Sequence, residues 1–524
     1  MKLGGEESRE QLLSGILLFL LAIVAYYPVL NNFFTWDDFL WVYRAKTLAG
    51  NPFQIFAIDA VYFDPLVYLW FWIDFQLHGL NPFWYHFGDV TIHAANGFLL
   101  YILVRKLAKD RFAALACSII FVSSFAVVDA VAWSSSRVDL LSVFFSLLTI
   151  IFFLNHLADG DRRAFAMAII AYMLSLSAKG TPLLLPCLLA VILVQRGNFV
   201  TQWRLLGPFF VTAITYVSLL LWRLSSAGKP LFAGGNRLNI QNLFLSLSEL
   251  FVPELHLASL NITWVAIGLT LVMSVCCLLL TGLQRRTAIF GLAIIVVGMV
   301  PVLILKDFKM VTTLQNAGHL LNSPSHRIYL ASAGAACFIG SILAALTRYS
   351  NKNWFGHILL FFLVISSLYE VRLREKLWTG SAQYIRNSVE GIANYKKLLL
   401  DDSAIGLVNF PMSRGFMRPA LSLYCGLDRV YFLPMASIPS EIPDAPEILR
   451  YRGRGYFFVY ANDKVINLSP SFARLLDIAF LYQISDNREK IRLVSEYSFL
   501  ATEMNTAISD SFKSFSTGFD DHEI

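Results

Sequence analysis

Apolar residues come along this chain in long unbroken runs separated by short polar connections. That pattern predicts membrane-spanning helices, since about 20 apolar residues cross the hydrocarbon core of a bilayer. Eleven spans are expected, near 12–30, 84–104, 112–128, 138–156, 164–178, 181–195, 206–223, 262–282, 288–305, 328–346 and 354–370. The first ends in YYPVL without a small-residue cleavage site, so it reads as a retained span rather than a signal peptide. The stretch 61–83 is apolar too, but Asp64, Asp74 and His78 interrupt it and Pro65 and Pro82 bound it. It is expected to lie along the outer interface. After Leu373 the period changes: AIGLVNFP, RVYFLPMA and GYFFVYAN alternate with helical patterns near 380–400, 414–425 and 470–480. The fold class expected is an all-α polytopic membrane protein with a small C-terminal α/β extracytoplasmic domain. Its divisions are 1–373, 374–504 and a polar, disordered tail at 505–524.

Composition narrows the class further. Of 524 residues, 56% are hydrophobic and 15% charged, which excludes an ordinary soluble domain. The net charge of +6 is scattered, so no nucleic-acid surface is expected. Cys117, Cys187, Cys276, Cys277 and Cys337 lie in apolar runs and Cys425 stands alone, with no CxxC or Cys/His spacing for zinc. Alternate connections carry 14 and ten basic residues, which puts the N-terminus in the cytoplasm. An odd number of spans then places the C-terminal lobe outside.

The candidate chemistry collects on the outer connections. Asp37 and Asp38 are adjacent within NNFFTWDDFLWVYRAKTL, just beyond the first span. Two neighbouring carboxylates repel unless a proton, a cation or a substrate uses them; as a solvated turn, the same pair caps the next helix. In the following span His86, Asp89, His93 and Asn96 fall at about 0°, −60°, −20° and −80°, one narrow face expected to line an interior cavity. The second outer connection, VVDAVAWSSSRVDLL, brings Asp129, Arg137 and Asp139 to span ends. The third is short: Lys179 precedes Gly180 and Pro182, and a lysine beside a helix N-terminus makes a phosphate seat. The fourth contains GGN at 234–236 and the amphipathic NLFLSLSELFVPEL; the fifth ends in His326-Arg327 at the mouth of a span. Charged residues at such positions line polar cavities, bind anions or snorkel to headgroups.

These stretches resemble the GT-C class of membrane glycosyltransferases, and within it the branch of transmembrane and tetratricopeptide-repeat O-mannosyltransferases with their bacterial relatives. The matching pieces are FFTWDD (33–38), residues 64–103, DAVAWSSSRVDLL (129–141), LSAKGTPLLLP (176–186) and HRIYLASAG (326–334). No tetratricopeptide array follows, Ser325 stands where a glutamate is common, and Asp89 where an asparagine is usual. The resemblance implies transfer of a sugar from a polyprenyl- or dolichyl-phosphate donor on the outer face. Asp37 or Asp38 would then act at the acceptor, and Arg137, Lys179 and Arg327 would hold the lipid phosphate. Asp129 joins the catalytic candidates; His326, His93, His86, Asp139 and Asp64 join the substrate-binding ones.

Physically, cations improve a phosphate leaving group, and an inverting transfer needs one base for the acceptor hydroxyl. Two aspartates also form part of a hard-cation site, but such sites take more ligands, so no required metal or other cofactor is expected. The expected partners are the lipid-linked sugar, membrane lipids and a cell-surface glycan, lipid or protein acceptor. The expected location is a bacterial inner membrane with the lobe in the periplasm, an endoplasmic-reticulum membrane being the alternative. Two other functions share the polar stripe and cations: a flippase of lipid-linked glycans, which would show inverted repeats, and a non-catalytic envelope-polysaccharide assembly factor.

Overall fold

The computed structural model describes residues 5–48, 63–226, 240–253, 261–300, 324–349, 354–399 and, in the C-terminal part, 403–408, 414–427, 431–432, 454–461, 464–484 and 487–517, with a few single positions between. The expected GGN at 234–236, and Lys229, Arg237, Lys306 and Lys309, lie outside the described residues. The chain divides into two units. Of the described residues, one holds those up to Asn32 and those between Ala45 and Thr379; the other holds Phe33–Arg44 and those from Gly380 onward.

The membrane unit is helical, and the described parts of all eleven expected spans fall on helices. Among the described residues, eight are long and apolar enough to cross a bilayer: Glu7–Asn31, Pro82–Ala108, Ser134–Asp159, Phe199–Ser226, Ile262–Leu279, Gly282–Met299, His326–Arg348 and Phe355–Ala393. The protein is therefore an integral membrane protein. The other three differ from straight spans. Arg111–Val122 and Phe125–Ala132 are bent by 51° at a short break. The break is stitched from outside, because Ser367 Oγ donates to the Ser123 carbonyl (2.7 Å) and accepts from Phe125 N–H (3.1 Å). Arg162–Ala178 has 17 residues, and Thr181–Gln195 is likewise a shorter apolar stretch.

Local chemistry sets the helix ends. The Asn81 side chain accepts from Phe83 N–H ahead of Pro82, Asp110 from Ala113 N–H, and Asp161 from Arg163 N–H. Gly160 closes Arg137–Asp159 with a φ of 67°. Gly282–Met299 and Tyr329–Tyr349 approach through small residues. A Cβ on Gly291 would sit 2.6 Å from the Gly334 carbonyl oxygen, and one on Gly298 would sit 2.7 Å from the Ala331 nitrogen.

The second unit holds a four-stranded sheet of β1 (Ala404–Val408), β2 (Tyr431–Phe432), β3 (Gly455–Ala461) and β4 (Lys464–Asn467), in the order β2-β1-β3-β4. β1 is parallel to β2 and β3, and β4 returns antiparallel to β3. Alternation along β3 covers both faces. Phe457 and Val459 pack on Phe472, Leu475, Leu493 and Tyr497 of the helices Ser469–Ile484 and Asn487–Thr517. Phe458 and Tyr460 meet Tyr395 and Tyr384 on the other side. The tail expected to be disordered from 505 instead continues the last helix to Thr517, because Met504 and Ile508 belong to the same core.

Candidate functional site

Among the described residues, three assemblies of charged groups in the membrane unit hold site residues expected from the sequence. The first surrounds Arg137, at the start of Arg137–Asp159. Its Nε donates to Asp89 (2.6 Å), one terminal nitrogen donates to Asp74, and the other donates to the Tyr85 carbonyl (2.8 Å). Phe71 and Tyr85 lie 4.7 and 5.9 Å from the guanidinium carbon. With 0% of the side chain exposed, this arginine presents no open face to a lipid phosphate. The phosphate-binding role expected of it does not match the geometry. It ties the Pro65–His78 helix to Pro82–Ala108 and Arg137–Asp159.

The second assembly is built on Asp129, next to the bent break. Arg374 donates to both carboxylate oxygens (2.9 and 2.8 Å), and Trp378 Nε1 donates as well (2.9 Å). Asp129 is buried, so the catalytic role expected of it gives way to an anchor for Phe355–Ala393. Beside it, Trp133 stacks on Trp378, and His326 meets Trp133 edge-on at 5.4 Å. Spacing alone missed Arg374 and Trp378; the signal available was a charged VRLREKLW run directly after a span.

The polar stripe shares one helix face as expected, and neighbouring helices pack against it. His93 pairs with the Tyr329 hydroxyl (2.7 Å) and the Val122 carbonyl (3.1 Å). Asn96 Nδ2 donates to the Leu140 carbonyl and to Tyr329 (both 3.0 Å), and His86 meets Ser134 (3.3 Å). Every member is buried. Polar side chains in a membrane interior are satisfied by adjoining helices, and here they bind four helices together.

The third assembly brings together Lys179, Asp139, Arg327 and Asp64. Lys179 Nζ donates to both oxygens of Asp139 (2.6 and 2.7 Å), and its side chain keeps 26% exposure. Lys179 follows the C-terminus of Arg162–Ala178 in extended backbone and precedes the turn Thr181–Leu184. Gly180 lies where a Cβ would meet the Tyr216 hydroxyl at 3.0 Å. Arg327, half-buried, acts electrostatically on Asp139. Asp64 precedes Pro65–His78 and interacts with Lys179, Asp139 and Tyr216. Burial pushes the Asp64 carboxyl up to about 7, with Lys179 pulling it back and Asp139 adding to the rise. Two cations and two acids thus meet at span ends, with the Lys179 side chain 26% exposed.

Asp37 and Asp38 belong to the other unit and take different roles there. Thr35 N–H and Oγ1 both donate to Asp38 Oδ2 (2.9 and 3.2 Å), and Asp38 N–H donates to the Thr35 carbonyl (2.8 Å). This is the acidic half of a capping box, and Asp38 is buried. Between them Trp36 adopts a φ of 38°, a costly backbone for a bulky residue. Asp37 remains half-buried; burial raises its carboxyl above the usual range, and Arg44 opposes the rise. Phe33 and Phe39 pack on Tyr424 in the same unit. Among the described residues no group of three or more His, Cys, Asp or Glu converges as a metal site would require.

No family model matches the chain. The protein O-mannosyl-transferase Tmtc1 of Drosophila melanogaster is 26% identical over 193 residues, 34% of this chain and 22% of that protein. The match thus spans about a fifth of that relative's length. ArnT from Cupriavidus metallidurans, solved bound to undecaprenyl phosphate, aligns with a TM-score of 0.44 and 12% identity over 80% of this chain and 86% of that one. The archaeal oligosaccharyltransferase AglB from Archaeoglobus fulgidus, solved with an inhibitory peptide and a dolichol-phosphate, aligns at 0.45 and 11% over 85% and 66%. In part of its sequence, then, this chain is similar to a protein O-mannosyl-transferase.

Proposed function

We propose that this protein is a GT-C glycosyltransferase moving a sugar from a polyprenyl-phosphate donor to a cell-surface glycan, lipid or protein. The observation that carries the proposal is the half-open assembly of Lys179 and Arg327 with Asp139 and Asp64 at span ends. As the glycosidic bond breaks, negative charge grows on the departing lipid phosphate, and Lys179 and Arg327 stabilise it. Asp37 takes the acceptor hydroxyl proton and the sugar centre inverts. Asp38, Arg137, Asp129, His86 and His93 keep the scaffold in place. The chemistry requires no metal. The location that fits is a bacterial inner membrane with the lobe in the periplasm.

The test uses the purified full-length chain in vesicles with polyprenyl-phosphate sugars and candidate acceptors, read by mass spectrometry. A new glycosidic bond that disappears in Lys179→Gln and Asp37→Asn supports the proposal. Movement of the lipid-linked sugar across the bilayer with no new bond would overturn it in favour of a flippase.

A further inference from the structure

At the end of the membrane unit away from Lys179, some basic residues are paired with acids. Arg111 and Arg105 share Glu10 (2.7 and 3.9 Å), and Arg348 reaches Asp110 (2.9 Å). Lys106, Arg196 and Arg286 instead converge on one cavity of about 50 Å³, with Gln195 and Ile192 in its wall. Among the described residues none of these three has an acidic partner. The cavity is built where helix ends meet: Gln195 Nε2 donates to the Arg286 carbonyl (3.0 Å), joining the end of Leu185–Gln195 to the start of Gly282–Met299.

Topogenic preference puts cations on this face of the membrane, but it does not make three of them share one hollow, where like charges repel. An anion relieves the repulsion. A water-sized group takes about 10–15 Å³ of such space, so the hollow accommodates roughly four oxygens, the number a phosphate presents. Leu107 and Leu283 line the same hollow, an apolar flank that suits a lipid better than a water-borne ion. The 15 residues of Thr181–Gln195 separate it from Lys179, about 22 Å along a helix, which is most of a bilayer.

We propose that Lys106, Arg196 and Arg286 bind the phosphate head group of an anionic membrane phospholipid in the leaflet opposite Lys179. The site is independent of sugar transfer. Membrane-facing basic hollows gain about 1 kcal/mol per cation from anionic lipid, so each neutralisation loosens the lipid about five-fold.

The test places the full chain in nanodiscs of phosphatidylcholine with and without phosphatidylglycerol, followed by thermal unfolding and native mass spectrometry. Phosphatidylglycerol is expected to raise the unfolding temperature and to leave a retained lipid on the wild type. A K106Q/R196Q/R286Q variant loses both, while R196K/R286K keeps them. A second variant, R162Q/R163Q, removes exposed charge elsewhere and retains the lipid. Equal lipid retention by the triple variant, or equal loss in R162Q/R163Q, would overturn the site. Equal stabilisation by inorganic phosphate in pure phosphatidylcholine would overturn the lipid as its source.

Discussion

Lys179 grips both oxygens of Asp139, at 2.6 and 2.7 Å, although 40 residues separate them in sequence. The carboxylate is 4% exposed and the lysine 26%. Breaking a buried pair from one side leaves an uncompensated charge, at about 3–5 kcal/mol. Lys179→Gln is therefore expected to lower the unfolding temperature in detergent and to abolish sugar transfer. The double variant Lys179→Gln/Asp139→Asn should recover most of the stability and none of the transfer. Recovery of transfer in the double variant would show that Lys179 serves the fold alone.

Arg137 is expected to behave in the opposite manner. Arg137→Gln strands Asp89 and Asp74 and should destabilise by about 3–5 kcal/mol. Arg137→Lys should rescue little, since one ammonium cannot reach three differently placed acceptors as a guanidinium does. Whatever folded protein remains should bind the lipid donor with unchanged KM. A raised KM with normal stability would return Arg137 to the phosphate site.

Asp37 and Asp38 should separate by readout. Asp38→Ala removes a capping acceptor, costing about 1 kcal/mol of stability. Asp37→Asn should leave unfolding unchanged and lower turnover about 10²–10⁴-fold. Because burial raises the Asp37 carboxyl, and a base works deprotonated, wild-type activity should fall with pH through a midpoint above the ordinary carboxylate range. A pH–rate profile checks the limb.

For Asp64, folding raises the proton affinity, with a folded value of about 7. The charged form therefore opposes folding: the penalty is absent below about pH 4 and complete above about pH 7. Asp64→Asn should unfold at a higher temperature than wild type at about pH 8 and at the same temperature near about pH 4. Coincident curves at both values would mean that its charge is fully balanced in the fold.

Much of this architecture is legible in one dimension. Membrane spans announce themselves because hydrocarbon admits so few alternatives, and β3 shows its alternation directly in GYFFVYA. Lys179 stands out in the sequence because the run KGTP sets a cation and a glycine just ahead of a proline at a helix start. Arg137 and Asp129 do not, since what decides their roles lies elsewhere: Asp74 is 63 residues from Arg137, and Arg374 is 245 from Asp129. The stripe from His86 to Asn96 was placed on the correct face, but its meaning depended on Tyr329, 236 residues from His93. Spacing reports which side chains point together and is silent on what waits opposite.

The glycine seam between Gly282–Met299 and Tyr329–Tyr349 has a consequence for Arg327. That arginine lies two residues ahead of a rod whose backbone touches its mate through Gly291, Gly298, Ala331 and Gly334. With no yielding side chains at the crossing, one added methyl levers the whole rod aside and carries the cation with it. The aim of a charge at the membrane surface is thus governed from deep in the oil, by positions that own no polar atom beyond the main chain.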